Sequence, residues 1–303
     1  MSSKKPLLIC VVGPTAIGKT ALSIEIAKAF QTEIISADSR QFYKEMKIGT
    51  AVPSSEELAT VPHHFIQSKS IYENFNVGDF EKEALQKLDT LFKKHPVVVM
   101  VGGSGLYIDA VVNGLDSFPE VSSEVREQLN KELLSNGIAS LQKELEQIDP
   151  VYFKKADMQN PHRVIRALEI FRSSGKPYTS FLKNKPSYRP FETQFIGLTA
   201  DRELIYNRIN KRVDTMVTSG LIEEAESLKT HKSLNALQTV GYRELFQFFD
   251  GEITEKESIE EIKKNTRRFA KRQGTWFRRN KEIRWFDCTT RASDIITVIK
   301  NAL

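Results

Sequence analysis

Residues Gly13-Pro-Thr-Ala-Ile-Gly-Lys19-Thr20 satisfy the pattern G-x-x-x-x-G-K-[ST] at every position and follow directly on the apolar run Leu7–Val12. That order, a buried strand, a glycine-bearing turn and a helix starting near Lys19, converges backbone N–H groups and the positive end of a helix dipole on one anion. Gly13 and Gly18 permit close backbone approach, Lys19 brings a mobile point charge, and the Thr20 hydroxyl is placed to ligate a magnesium ion bridging phosphate oxygens. The loop formed by Gly13, Thr15, Ala16, Ile17, Gly18, Lys19 and Thr20 is therefore expected to hold a di- or triphosphate. An ordinary glycine turn would not need the Lys-Thr pair or the amphipathic run Ala21–Ala27 behind it.

The loop fixes the fold class. Short β-branched runs recur at 7–12, 33–37, 97–101, 195–199 and 283–286 with helical patterns between them, as in a parallel sheet of β-α units. We expect an α/β fold with a P-loop NTPase-like core, a parallel β-sheet flanked by helices, plus a helical insertion domain. Residues 116–190 carry helical patterns such as Val125–Leu134 and no convincing strand, bounded by Asn113-Gly114 and Pro119 on one side and Pro177, Pro186 and Pro190 on the other. The core would then be 1–115 and 191–303.

With 40% hydrophobic and 27% charged residues, the 303-residue chain has the composition of a soluble globular protein, not of a disordered or fibrous one. The first apolar run is too short for a signal or membrane segment, so a cytoplasmic location without membrane association is expected. Cys10 and Cys288 have no metal-like spacing and imply no disulfide framework.

A net charge of +5 is a mild hint of a polyanionic partner, but its distribution says more. Between Lys263 and Arg284 the chain is dense in Lys and Arg, with Glu282 the one acid. The same region reads as one amphipathic helix over 255–277, its inner stripe running through Ile259, Ile262, Thr266, Phe269 or Ala270, Gln273 and Trp276. The cations fall largely off that stripe. Trp276 is read first as a core residue and second as a base-stacking one. His63 and His64, adjacent and so divergent on any regular element, are read as structural.

The strand at 97–101 ends in Gly102-Gly-Ser-Gly-Leu-Tyr107, without the carboxylate that phosphoryl-transfer enzymes place there for magnesium. A carboxylate stands instead after the second strand, in Asp38-Ser-Arg-Gln41. Strand ends of an open α/β sheet face the ligand crevice, so Asp38 should share a rim with Lys19. It is open as a general base, a metal-organising group or a helix N-cap.

The phosphate loop, Asp38–Gln41, Ile48-Gly-Thr-Ala51, Gly102–Tyr107, Asn160-Pro-His-Arg163, Arg166-Ala-Leu-Glu169, Gly241-Tyr-Arg-Glu244 and Lys271-Arg-Gln-Gly-Thr-Trp-Phe-Arg278 together resemble the ordered signatures of the tRNA dimethylallyltransferases, also called tRNA isopentenyltransferases. The resemblance runs from the first strand to about residue 286. It implies transfer of a dimethylallyl group from its diphosphate to the exocyclic 6-amino group of the adenosine 3′-adjacent to the anticodon, with release of diphosphate. Loop, Lys19, Thr20 with Mg2+, and Arg212 would stabilise the leaving group, and Asp38 would take the amine proton. It further implies tRNA contacts, through the anticodon stem-loop, from Asp38, Ser39, Arg40, Gln41, Ser104, Arg126, Gln159, Asn160, Pro161, His162, Arg163, Gly241, Tyr242, Arg243, Lys271, Arg272, Gln273, Thr275, Trp276 and Arg278. Ser104 stands where threonine is common, keeping the hydroxyl. A compact, bacterial-type, monomeric enzyme is the expectation.

Three other readings are open. Prenyl transfer to free AMP or ATP, as in cytokinin synthesis, would make the basic helix dispensable. A small-molecule kinase on the same loop would turn over ATP. An RNA-binding module with a vestigial loop would leave Lys19, Thr20 and Asp38 without a role.

Overall fold

The computed structural model describes residues 5–182 and 187–302; Pro186, one of the expected boundary prolines, lies outside them. The chain divides into two compact units, Met1–Asn113 with Tyr188–Leu303, and Gly114–Ser187. In chain order the first unit starts with β1 (Leu7–Val12), α1 (Lys19–Phe30), β2 (Ile34–Ser36), α2 (Ser55–Thr60), β3 (His63–His64), α3 (Val77–Phe92), β4 (Val97–Val101) and α4 (Gly105–Asn113). The second unit follows, with α5 (Ser123–Asn136), α6 (Ile138–Ile148), α7 (Pro150–Lys155) and α8 (Pro161–Ser174). The chain returns to the first unit through β5 (Glu192–Thr199), α9 (Arg202–Thr218), α10 (Leu221–Ser227), α11 (Tyr242–Phe249), α12 (Glu255–Phe277), β6 (Arg284–Asp287) and α13 (Ala292–Lys300).

The strands form one sheet in the order β3-β2-β4-β1-β5-β6, and every pair is parallel. β1 lies between β4 and β5 and is buried along its whole length, which explains why it reads as an unbroken apolar run rather than an alternating one. Its alternate residues still separate by face. Leu8, Cys10 and Val12 pack with Phe80, Leu88, Ile108 and Phe277 of α3, α4 and α12, while Leu7, Ile9 and Val11 pack with Ile24 and Ile26 of α1 and Ile295 and Ile299 of α13. A third cluster ties α9 to α12 and the loop after β2 through Val213, Leu221, Tyr242, Phe246, Ile262 and Met46. Because all strands run the same way, the turns after β1, β2 and β4 open on one edge of the sheet.

α12 spans 255–277 as its periodicity predicts, entered through a capping box in which Thr254 and Glu257 bond each other's backbone N–H. One strand is longer than expected and one was not expected. β5 starts at Glu192, where an exposed polar residue hid it, and β3 is an edge strand of two histidines, too short and polar for a periodicity to register. His64 bonds Glu33 at 2.6 Å and His63 bonds the Val61 carbonyl at 2.7 Å, so both do act structurally.

The second unit is helical, around Leu129, Leu141, Leu145, Val164, Ile165 and Leu168. Beside this core Glu169 is fully buried, accepting from Arg126 Nε at 2.6 Å and Nη2 at 2.8 Å and from Arg166. Arg172 forks between Glu132 and Glu144.

Candidate active site

The phosphate loop takes its shape from backbone that only glycine tolerates. Gly13 has φ +143°, and a Cβ there would stand 2.7 Å from the Leu198 carbonyl oxygen; Gly18 has φ +106°. Gly18 is also the N-cap of α1, so no side chain caps that helix and its first N–H groups stay open to an anion. Lys19 Nζ donates to the Pro14 carbonyl at 2.8 Å. Burial lowers its pKa to about 8; Asp38 opposes that shift and Arg212 adds to it. The Thr20 hydroxyl has no hydrogen-bond partner among the described residues.

Two arginines one turn apart on α9 brace the loop. Arg208 Nη1 donates to the Ile17 carbonyl at 3.2 Å, and Arg212 Nη1 to the Thr15 hydroxyl at 3.3 Å. Arg208, unlike Arg212, was not anticipated. Burial lowers the Arg212 pKa, and Asp38 pulls it back up.

Asp38 caps no helix. Past β2 the chain turns, and Asp38 Oδ1 accepts the Arg40 N–H at 3.1 Å while its carbonyl accepts the Gln41 N–H. This local turn leaves the carboxylate half-buried and facing the loop's cations. The close fit of the β4 turn against it requires glycine, since a Cβ on Gly102 would stand 2.3 Å from the Ala37 carbonyl oxygen.

Asp38, Thr15 and Arg212 line a cavity of about 490 Å³ within the first unit. The same cavity is lined by Val213, Met216, Leu221, Val240, Ile262 and Phe269, and by Arg243, Arg272 and Trp276. A volume of this order suits a small-molecule ligand.

Several residues that the resemblance assigned to RNA have partners within the protein. Gln41 donates to the carbonyls of Thr50 and Ala51, and Arg40 to those of Asn235 and Ala236. Ser104 accepts the Ser39 N–H at 3.1 Å. Asn160 caps α8 through the His162 N–H with Pro161 in its first turn, while His162 and Arg163 are exposed; these residues, Gln159 and Arg126 belong to the second unit. Gly241 is the N-cap of α11, and Tyr242 is fully buried, donating to Glu224 at 2.7 Å. Arg243 is exposed and reaches the cavity. Trp276 packs against the core and donates to Asp109 at 3.0 Å, yet its ring also borders the cavity. Burial pushes the Asp109 carboxyl up, and the Trp276 bond draws it back down. Gln273 is the clearest departure. Its side chain is buried against the phosphate loop, accepting the Thr15 N–H and donating to the Gly103 carbonyl, so it is not on the basic surface.

The basic run also resolves into two parts. Lys263 pairs with Asp214 and Glu260, Lys264 pairs with Glu261, and Arg267 donates to Asn210. Among the described residues no ion pair engages Lys271, Arg272, Arg278, Arg279, Lys281 or Arg284, all exposed. Unneutralised charge is therefore concentrated at the C-terminal end of α12 and beyond.

Sequence reasoning missed Glu224. Its carboxylate accepts the N–H groups of Lys47, Ile48 and Gly49 at 2.8 to 2.9 Å besides the Tyr242 hydroxyl, and so holds the segment at 47–51 that Gln41 ties from the other side. The only available signal was an acid in the first turn of a short helix. Removing it strands four donors, so Glu224→Ala should lower stability by about 2–3 kcal/mol in denaturant unfolding. An unchanged midpoint would contradict this.

The family model described as IPP transferase matches residues 41–280. The chain is 60% identical over 296 residues to the tRNA dimethylallyltransferase of Christiangramia forsetii and 56% identical over 302 residues to that of Flavobacterium psychrophilum, covering 98% of each chain in both cases. Among solved structures, it superposes on the tRNA isopentenylpyrophosphate transferase of Bacillus halodurans with a TM-score of 0.72 at 38% identity, covering 98% of this chain and 95% of that one. A eukaryotic dimethylallyltransferase acting on tRNA superposes with a TM-score of 0.83 at 25% identity, over 98% of this chain and 79% of that one.

Proposed function

The chain belongs to the tRNA dimethylallyltransferase family, and from that premise we propose that it transfers a dimethylallyl group from dimethylallyl diphosphate to N6 of the adenosine 3′-adjacent to the anticodon of tRNA. The observation that carries this reading is the single cavity joining the two chemistries. Thr15, Arg212 and Asp38 line it beside the phosphate loop, apolar side chains suited to a five-carbon allyl group line it with them, and Arg243, Arg272 and Trp276 complete its wall.

An exocyclic adenine amine is a weak nucleophile because its lone pair is delocalised into the ring. Asp38 accepts the N6 proton as the new C–N bond forms, and the allylic C–O bond breaks with its electron pair leaving on diphosphate. The charge developing on that leaving group meets the open N–H groups of α1, Lys19 and Arg212, fixed in place before the reaction begins. The loop thus holds a leaving group, which agrees with the absence of a carboxylate after β4. The base must be flipped from its stack to reach Asp38.

A hard cation suits the phosphate loop. Magnesium takes one or two protein oxygens with substrate phosphates and water, and the unengaged Thr20 hydroxyl with diphosphate oxygens fits that set. When bound, it would add positive charge against the departing diphosphate.

The exposed cations beyond residue 270 favour tRNA over a free nucleotide. Lys271→Ala combined with Arg278→Ala, neither of which lines the cavity, should weaken tRNA binding and reduce the log–log salt slope by about 1 per residue. Affinity for prenyl diphosphate should stay unchanged; a loss there with intact RNA binding would contradict the assignment. Label transfer from radiolabelled dimethylallyl diphosphate to unmodified tRNA, AMP and ATP, each offered separately with magnesium, tests the function directly. Label on tRNA supports the reading, label on AMP or ATP redirects it to nucleotide prenylation, and none on any acceptor overturns it.

A further inference from the structure

Gln273 is only 6% exposed, although it lies between the exposed Lys271 and Thr275 on α12. Residues two apart on a helix point to nearly opposite sides, so the inward orientation of Gln273 is what leaves Lys271 and Thr275 outside. Its amide oxygen accepts the Thr15 N–H at 2.8 Å and its amide nitrogen donates to the Gly103 carbonyl at 3.0 Å, partners 258 and 170 residues away in sequence. A reversed amide would set donor against donor and acceptor against acceptor, so the two partners fix its orientation.

Resting on the prenyl-diphosphate reading above, we propose that Gln273 is a positioning residue for the diphosphate. It locks the phosphate loop and the glycine turn after β4 onto α12, and thereby sets affinity for the prenyl donor rather than for RNA. The packing around it supports this. A Cβ on Gly103 would stand 2.2 Å from Gln273 Nε2 and 3.8 Å from Lys19 Nζ, so the amide, the glycine turn and the Lys19 ammonium are close neighbours. Thr15, whose N–H Gln273 holds, accepts from Arg212 through its hydroxyl. One side chain therefore orients the loop residue on which a leaving-group cation depends, and it does so from the helix that carries the exposed basic surface.

Gln273→Glu is nearly isosteric and keeps an acceptor for Thr15, but sets a carboxylate oxygen against the Gly103 carbonyl and a negative charge beside the diphosphate. Protonating that carboxyl restores the donor and removes the charge. Gln273→Leu strands both partners at any pH. Binding of a non-reactive dimethylallyl diphosphate analogue, without RNA, should weaken about 10- to 100-fold in both variants at pH 8. The part of the Gln273→Glu defect that comes from the introduced charge should shrink as pH falls toward 5.5, while the leucine variant keeps its full loss. Binding of unmodified tRNA, measured without the analogue, should stay within about threefold of wild type. A general loss of structure would weaken both ligands together and would not recover in acid. A folded Gln273→Glu protein, checked by thermal melting, that binds the analogue like wild type at pH 8 overturns the proposal, as does a loss confined to tRNA. Failure of the wild-type protein to bind the analogue overturns the functional reading itself.

Discussion

Asp38→Asn should lower the single-turnover rate of prenyl transfer by about 10²- to 10⁴-fold, the range for loss of a general base. The substitution preserves the oxygen that accepts the Arg40 N–H, so the turn between β2 and the following segment should keep its shape. The amide cannot take up the N6 proton at any accessible pH. The variant also removes a negative neighbour that opposes burial at both Lys19 and Arg212, so prenyl diphosphate must be saturating before rates are compared. Affinity for tRNA should change little, because the exposed cations beyond residue 270 are untouched. A variant that reacts at the wild-type rate when saturated would remove Asp38 from proton transfer. One that reacts normally but binds prenyl diphosphate poorly would make it an electrostatic neighbour of the loop instead.

The parts of this site that sequence makes legible are those whose chemistry is local. Gly13 through Thr20 carry their geometry in eight consecutive residues, and Asp38 is found because parallel strands must deliver their ends to one rim. Residues that act across long separations are different. Nothing around Glu224 reveals that it holds the N–H groups of residues 47–49 from 175 to 177 positions away. Gln273 shows a subtler limit. Its place on the inner stripe of α12 was readable from helical period, but motif likeness assigned the whole of 271–278 to RNA, and only packing separates the buried amide from the exposed Lys271, Arg272 and Arg278. The basic run fails for the same reason. Lys263 and Lys264 count equally with Lys271 in composition, yet Asp214, Glu260 and Glu261 neutralise them where the helix packs and turns.

Affinity for prenyl diphosphate should fall as pH rises through about 8 in the wild-type protein, and Lys19→Met should abolish that dependence. Burial holds the unliganded Lys19 pKa near 8, below its usual 10.5, so in alkaline solution the ammonium is largely lost. A diphosphate seated against it favours the charged form and raises that pKa. Above pH 8 the complex therefore holds more protons than the free protein, binding takes up a proton, and Kd rises with pH by up to about tenfold per unit. Below about pH 7 both states are protonated and this contribution levels off. Lys19→Met keeps much of the apolar stem but not the charge, and should cost about 10²- to 10³-fold in kcat/KM for the prenyl donor. Its melting temperature should not fall, since a desolvated ammonium costs the folded state rather than supporting it. Calorimetric titration with a non-reactive analogue in buffers of different ionisation enthalpy counts the proton uptake, and subtracting the methionine variant cancels the titration of the ligand. Equal slopes in the two proteins would assign the dependence to another group and leave Lys19 charged throughout, in which case Asp38 outweighs burial at the centre of the site.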